Sequence, residues 1–172
     1  MRSFLFDALF KGTATIARPA PGSAALEEVA KALGEHARQR LGRSLSIREI
    51  DAGSCNGCEL EIHALNNPVY DVERFGLKFV ASPRHADVLL VTGPVTWNMR
   101  EALVRTYNAA PEPKWVVALG DCAGNCGVFA GSPAVVGPLA DVLPVDLRIP
   151  GCPPPPLEIV KGLLALMEAG KR

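Results

Sequence analysis

No run of eighteen successive apolar residues occurs in the chain, so no segment is expected to cross a bilayer as a helix. Neither charge is in excess: 18 Lys and Arg balance 18 Asp and Glu. A chain without a basic surplus lacks the electrostatic footprint of a nucleic-acid binder, and no nucleic-acid partner is expected. Internal repeats and low-complexity tracts are missing, which sets aside solenoids and disordered chains. The first residues, MRSFLFDALFKG, hold too short an apolar stretch for a secretory signal, and no small-residue cleavage site follows. No twin-Arg motif occurs either. The chain is therefore expected in the cytosol, where thiols stay reduced. Its five cysteines then point to metal or redox chemistry rather than to disulfides.

What is present describes one globular domain. Apolar residues make up 48% of the 172 positions against 21% charged, which is enough to build a core. Surface scaling gives about 69% of the unfolded area buried, so no covalent staple is required. Mean hydropathy is +0.16, yet the densest apolar runs, Val88–Val91 and Trp115–Leu119, are only strand-sized.

Residues 1–12 read as a short amphipathic arm. Phe4, Leu5, Ala8 and Leu9 lie on one side, and Phe6 and Phe10 widen it. It suits either an interfacial anchor or a segment docked on the chain's own core. Pro and Gly then mark a linker that ends at residue 23. A single α/β domain is expected over 24–172. Its first helix is capped by Ser23, presents Leu26, Val29, Leu33, Ala37 and Leu41 on one face, and stops at Gly42. From Leu45 strands and helices alternate. Strands are expected at Leu45–Ile50, Leu77–Ala81, Ala86–Thr92, Lys114–Leu119 and Val145–Ile149. Helices are expected at Trp97–Asn108 and Leu157–Ala169. That order predicts a doubly wound, flavodoxin-like parallel sheet.

Four cysteines fall just past predicted strands, in Gly- or Pro-rich segments: Cys55 and Cys58 in SCNGCE, Cys122 in GDCAGN, Cys152 in PGCPPPP. Ligands of open α/β sheets bind outside the carboxyl ends of the strands, so three loops would bring four thiols to one edge. Four thiolates suit either tetrahedral zinc or an iron–sulfur cluster. One close pair and two distant singles favour a [4Fe–4S] cluster over the paired spacing of structural zinc. Inert buried thiols fit poorly with polar turns. Gly53, Gly57, Gly120, Gly124 and Gly151 would let the backbone approach cluster sulfides. Cys126 reads as an ordinary small residue of a tight loop, with a spare thiol or a swapped ligand as the other options.

SCNGCELE, SPRHADVLLVTGPVT, GDCAGNCGVF and IPGCPPPP, in that order, resemble the small electron-transfer subunit of membrane-bound energy-converting [NiFe] hydrogenases of the formate hydrogenlyase type. The same module is similar to the 20-kDa subunit of respiratory complex I. The resemblance spans about residues 45–168. It implies that Cys55, Cys58, Cys122 and Cys152 hold one proximal [4Fe–4S] cluster, with no extra cluster-binding domain. It implies a relay between a ferredoxin-like iron–sulfur subunit and a NiFe-type large subunit, beside membrane-arm subunits, on the cytoplasmic face of the inner membrane. Asn56 and Gly57 between the first two cysteines match the hydrogenase side; the complex I subunit has adjacent cysteines there. Cys126 stands where the family loop usually has glycine.

The resemblance also singles out Glu61, the acidic residue after CxGC and a candidate for moving a proton, and Arg84, a cation near the cluster that would raise its potential. His85 could couple that to a proton. Glu59 reads as a charge complementing a helix N-terminus. His63 has no second ligand pattern. Asp71–Phe75 is either a large-subunit contact or a solvated turn. The competing functions are a complex I-like quinone oxidoreductase subunit, a nickel-free hydrogenase-related complex, and a structural zinc protein.

Overall fold

The computed structural model describes residues 23–169, so the expected arm and linker of residues 1–22 lie outside it. In chain order the strands are β1 (Leu45–Asp51), β2 (Leu77–Phe79), β3 (Val88–Thr92), β4 (Val95–Thr96), β5 (Trp115–Leu119), β6 (Val135–Gly137) and β7 (Leu147–Ile149). The helices are α1 (Ser23–Leu41), α2 (Gly57–Leu65), α3 (Trp97–Ala109), α4 (Gly120–Asn125) and α5 (Pro156–Glu168). Five strands form one parallel sheet in the order β2-β1-β3-β5-β7. Numbered among themselves they run 2-1-3-4-5, the flavodoxin-like order expected from the sequence. β4 and β6 pair as a separate antiparallel ribbon.

Every residue of β3 and β5 is buried, as the continuous apolar runs VLLVT and WVVAL demand of strands covered on both faces. On one face, Leu45, Ile47, Val88 and Val117 pack against Leu26, Ala30 and Leu33 of α1, Ile62 of α2, and Ile159 and Leu163 of α5. On the other, Ile50, Leu89, Val91 and Val116 meet Leu103 of α3, Ala123 of α4, and Leu139. Arg40 pins α1 in place. Its guanidinium lies 5.0 Å from the Trp115 ring centroid and donates to the Met167 carbonyl near the end of α5 at 3.0 Å.

The structure departs from the sequence expectations in three places. β2 ends two residues early, and β3, β5 and β7 begin one or two residues later than expected, because Asp87, Lys114 and Asp146 at their starts turn their side chains to hydrogen bonds beside the ladder. The β4–β6 ribbon was not expected; two- and three-residue strands are too brief to show a period. Asp71–Phe75 is half in the core and half outward, with Glu73 and Arg74 exposed. Val72–Phe75 forms a 3₁₀ turn with Val72 and Phe75 buried in this chain's own core. Arg74 stacks over Phe75 at 4.5 Å and reaches Glu27 at 3.8 Å.

One buried carboxylate ties the amino ends of β1 and β3 together. Asp87 accepts from Arg43 Nη1 at 2.9 Å, Arg43 Nη2 at 2.6 Å and the Ser46 N–H at 2.9 Å. Its own N–H donates to the Ser46 carbonyl at 2.8 Å. Bidentate, charge-assisted bonds to a buried acceptor are the strong ones. Arg43→Ala strips both guanidinium bonds from that carboxylate and should cost about 2–3 kcal/mol. Lys161→Ala, which breaks an exposed pair with Glu158, should change stability by less than about 0.5 kcal/mol. Denaturant midpoints of the two variants check the contrast.

Candidate metal centre

The loops that leave the carboxyl ends of β1, β3, β5 and β7 converge on one cavity of about 130 Å³. Cys55, Cys58, Cys122 and Cys152 all line it, together with Gly93, Asp121 and Pro153. The four cysteines expected to converge do so. Each arrives by a different local device. After β1, Asp51 Oδ1 accepts the N–H groups of Gly53 at 2.8 Å and Ser54 at 2.7 Å. Ser54 Oγ then accepts from the Asn56 N–H at 3.1 Å. These turns fold the chain back on itself, so that Cys55 precedes α2 and Cys58 lies in its first turn. After β5 the chain turns at Gly120, φ +84°, and enters α4 at once. Cys122 therefore sits buried inside a short helix, not in the polar turn that the sequence suggested. After β7, Pro150 and Gly151 deliver Cys152, which is exposed, as is Cys55.

Glycine backbones seat three of the four sulfurs. A Cβ on Gly120 would lie 2.7 Å from Cys58 Sγ, and one on Gly127 2.9 Å from Cys122 Sγ. A Cβ on Gly57 would lie 3.5 Å from Cys55 Sγ. At Gly120 and Gly127 a side chain would displace the sulfur, whereas at Gly57 it would only touch it. Gly124, expected among them, faces open space, and Gly127 takes its place.

Burial and mutual charge oppose ionisation of this group of thiols. Burial pushes Cys58 from an ordinary 9.0 up to about 12, and the charges of Glu59, Cys122, Cys55 and Cys152 push the same way. Cys122 is raised by burial first and then by Cys152, against a lowering hydrogen bond from the Val128 backbone. A positive charge placed among these sulfurs would oppose both effects at Cys58 and Cys122, and a bound metal supplies one. Among the described residues no group of three or more His, Cys, Asp and Glu side chains is arranged to hold a single metal ion.

None of the other candidates lines this cavity, and Arg84 and His85 precede β3 at its amino end, the edge opposite the cysteine loops, so the expected nearness of Arg84 to the site is not seen. Cys126 is buried at φ +69°, does not line the cavity, and caps α4 through a 2.9 Å bond from its N–H to the Cys122 carbonyl. Its burial and Asp141 push its thiol up. Glu61 is half-buried on α2. Arg84 and His85 are exposed in the 3₁₀ turn Pro83–His85. His63 is exposed and shares a polar hollow with Arg48, Glu49 and Asn66.

Glu59 is what the sequence reading missed. It is 7% exposed, and neither carboxylate oxygen has a hydrogen-bond partner. Its charge acts on Cys58 and, after burial, is the largest influence raising Glu49. Its place directly after Cys58, in the first turn of α2, matches a helix N-terminal acid equally well, so no sequence signal separates the two.

Gly120→Ala should destabilise the fold by at least about 1–2 kcal/mol, the cost of the left-handed conformation alone. Gly124→Ala, helical and facing open space, should stabilise it by about 0.5–1 kcal/mol. Thermal midpoints test both. The raised value of Cys58 sets a pH dependence for the metal-free chain. Its stabilising contribution is present below the ordinary 9.0 and is lost as pH rises towards about 12. Denaturant midpoints with chelator across that range should fall. Alkylation should reach exposed Cys55 and Cys152 well before Cys58.

No helix among the described residues is long and apolar enough to cross a membrane. Residues 55–166 match the family model described as NADH ubiquinone oxidoreductase, 20 Kd subunit. A probable membrane-bound hydrogenase subunit of Pyrococcus furiosus is 48% identical over 74% of this chain and 77% of its own length. Formate hydrogenlyase subunit 7 of Escherichia coli is 44% identical over 76% of this chain, which spans only 52% of that relative. Among solved structures, a chain of the membrane-bound sulfane sulfur reductase, an archaeal respiratory membrane complex, superposes with a TM-score of 0.66. It is 35% identical, over 81% of this chain and 77% of its own. The chain thus belongs to the family of the 20-kDa subunit of NADH:ubiquinone oxidoreductase, a family of oxidoreductase-complex subunits that includes hydrogenase subunits.

Proposed function

We propose that the chain is the electron-relay subunit of a membrane-associated [NiFe] hydrogenase, with one [4Fe–4S] cluster held by Cys55, Cys58, Cys122 and Cys152. The observation that carries this reading is the convergence of four thiols from three separate loops on one cavity at the carboxyl edge of the sheet. Tetrahedral zinc holds each sulfur about 2.3 Å away and draws four of them into mutual contact. Sulfurs that ring a cavity suit a larger, multi-iron group. Such a cluster, when bound, supplies one-electron transfer at a potential set by charge, hydrogen bonds and solvent exposure. The chain's part is to hold the four sulfurs, to keep Cys58 and Cys122 away from water, and to leave the Cys55 and Cys152 side open.

Partner subunits follow from the same reading: a NiFe-type large subunit, a ferredoxin-like donor and membrane-arm subunits, with the complex at the cytoplasmic face of the membrane. Leu60, Trp97 and Val128, at 61%, 60% and 80% exposure, are large apolar residues on elements that adjoin the cysteine loops, which suits burial by a partner. Within this reading Glu61, on the helix that carries Cys58, moves a proton, and Arg84, at the amino end of β3, acts on the potential only through its charge at a distance. The likeness to a chain of a sulfane sulfur reductase, a respiratory membrane complex not named a hydrogenase, leaves one second reading, a hydrogenase-related complex with another activity and no nickel.

Anaerobic purification of the complex through a tag on this chain, followed by assay of iron, acid-labile sulfide and nickel, tests the proposal. Equal iron and sulfide with nickel is expected. Iron and sulfide without nickel turns the assignment to the nickel-free relatives, and zinc without iron overturns the relay. Serine at Cys55, Cys58, Cys122 or Cys152 should lower iron sharply, whereas Cys126→Ser should leave it unchanged.

A further inference from the structure

The ladder between β5 and β7 is bracketed at both ends by aspartates that perform the same operation. At its start, the Asp146 N–H donates to the Val116 carbonyl at 2.9 Å, and Asp146 Oδ2 accepts from the Val116 N–H at 2.8 Å. The strands then pair through Val117↔Leu147, Ala118↔Arg148 and Leu119↔Ile149. Beyond Leu119 the chain coils into α4, and the backbone ladder ends. Asp121 continues it by one more pair in the same register. Its N–H donates to the Gly151 carbonyl at 2.8 Å, and its Oδ1 accepts from the Gly151 N–H at 2.9 Å.

The second bracket differs from the first in what it adjoins. Asp121 directly precedes Cys122, Gly151 directly precedes Cys152, and both residues line the cysteine cavity. The side chain does what a backbone carbonyl would do if β5 had not turned away. At Gly151, φ +137°, a Cβ would lie 2.7 Å from Pro154 Cα, so the backbone on this side of the clamp has a single fitting residue. The two single cysteines of the set, far apart in sequence, are thereby locked at one spacing before any metal arrives.

We propose that Asp121 is a positioning residue: its carboxylate oxygen clamps the Cys122 loop to the Cys152 loop and so governs how firmly the four-cysteine site retains its metal group. The inference rests on the cluster reading above and extends it to a residue that is not itself a ligand. Groups of this kind typically govern metal retention by ten- to a hundredfold.

The test uses the intact complex, purified anaerobically as wild type, Asp121→Ala, Asp121→Asn and Asp146→Ala. Each is assayed for bound metal, for the rate of metal release to an excess of chelator, and for thermal midpoint. Asp121→Ala should release metal at least about tenfold faster than wild type. Asp121→Asn keeps an acceptor oxygen at the same position and should restore slow release. Asp146→Ala breaks the matching bracket at the far end of the ladder. It should lower the thermal midpoint comparably and leave the release rate near wild type. Release from Asp121→Ala at the wild-type rate, or from Asp146→Ala as fast as from Asp121→Ala, overturns the clamp. If wild type holds zinc, the cluster reading fails while the release comparison still decides the clamp. If wild type holds no metal, both fail.

Discussion

Four sulfurs must share one small cavity, and that requirement organises the rest of the molecule. Burial first, and then the charges of their neighbours, push the thiols of Cys58 and Cys122 up. The four sulfurs are therefore brought together by backbone geometry and packing, not by mutual attraction. A parallel sheet meets the requirement well. Its strands all point one way, so every loop after a strand emerges at the same edge. The full burial of β3 and β5 makes that edge rigid, and Asp87 with Arg43 locks the opposite edge. The cysteine loops then need little regular structure of their own. They are held by Asp51, by the Asp121–Gly151 pair, and by glycines where sulfur meets backbone.

Much of this was legible in the sequence, and the reasons are physical. Buried parallel strands read as unbroken apolar runs, so β3 and β5 stood out with the correct order and direction. The first helix was legible from its apolar face and from Gly42. The four cysteines were legible because their spacing matched neither a disulfide framework nor paired zinc ligands. The ribbon of β4 and β6 was not legible, since strands that short carry no period. Cys122 was misplaced in a turn because GDCAGN has two glycines, which normally argue against helix. Only the sharp turn at Gly120 and the caps at Cys126 and Gly127 make that six-residue helix possible.

The glycines and acids separate into those that sequence can rank and those it cannot. Gly124 and Gly127 both lie within a few residues of Cys122. Only the fold decides that Gly127 touches its sulfur and Gly124 touches nothing. Cys126 at φ +69° is the complementary case. A side chain occupies a conformation that favours glycine, and its thiol is turned into the core and away from the cavity. The four cysteines expected from the resemblance do converge, while the loop that carries Cys122 has a cysteine at its strained point.

Glu59 and Glu61 show the limit most clearly. Two carboxylates separated by one residue on the same helix cannot share a face, because two positions along an α-helix turn through more than half a circle. The burial of Glu59 follows from the same rotation that buries Ile62 and leaves Leu60 exposed. The acid nearer to Cys58 is therefore the one withdrawn from water, with both oxygens unpartnered. A buried unpaired carboxylate is costly to any fold, and its presence one residue from a sulfur ligand means that part of the chain's stability is given up at this place. The charge of Glu59 opposes that of the thiolates, so it works against the very ionisation that metal binding requires. The sheet and the Asp87 pair make good the stability lost here, and the Asp121–Gly151 pair adds to it while fixing Cys122 against Cys152.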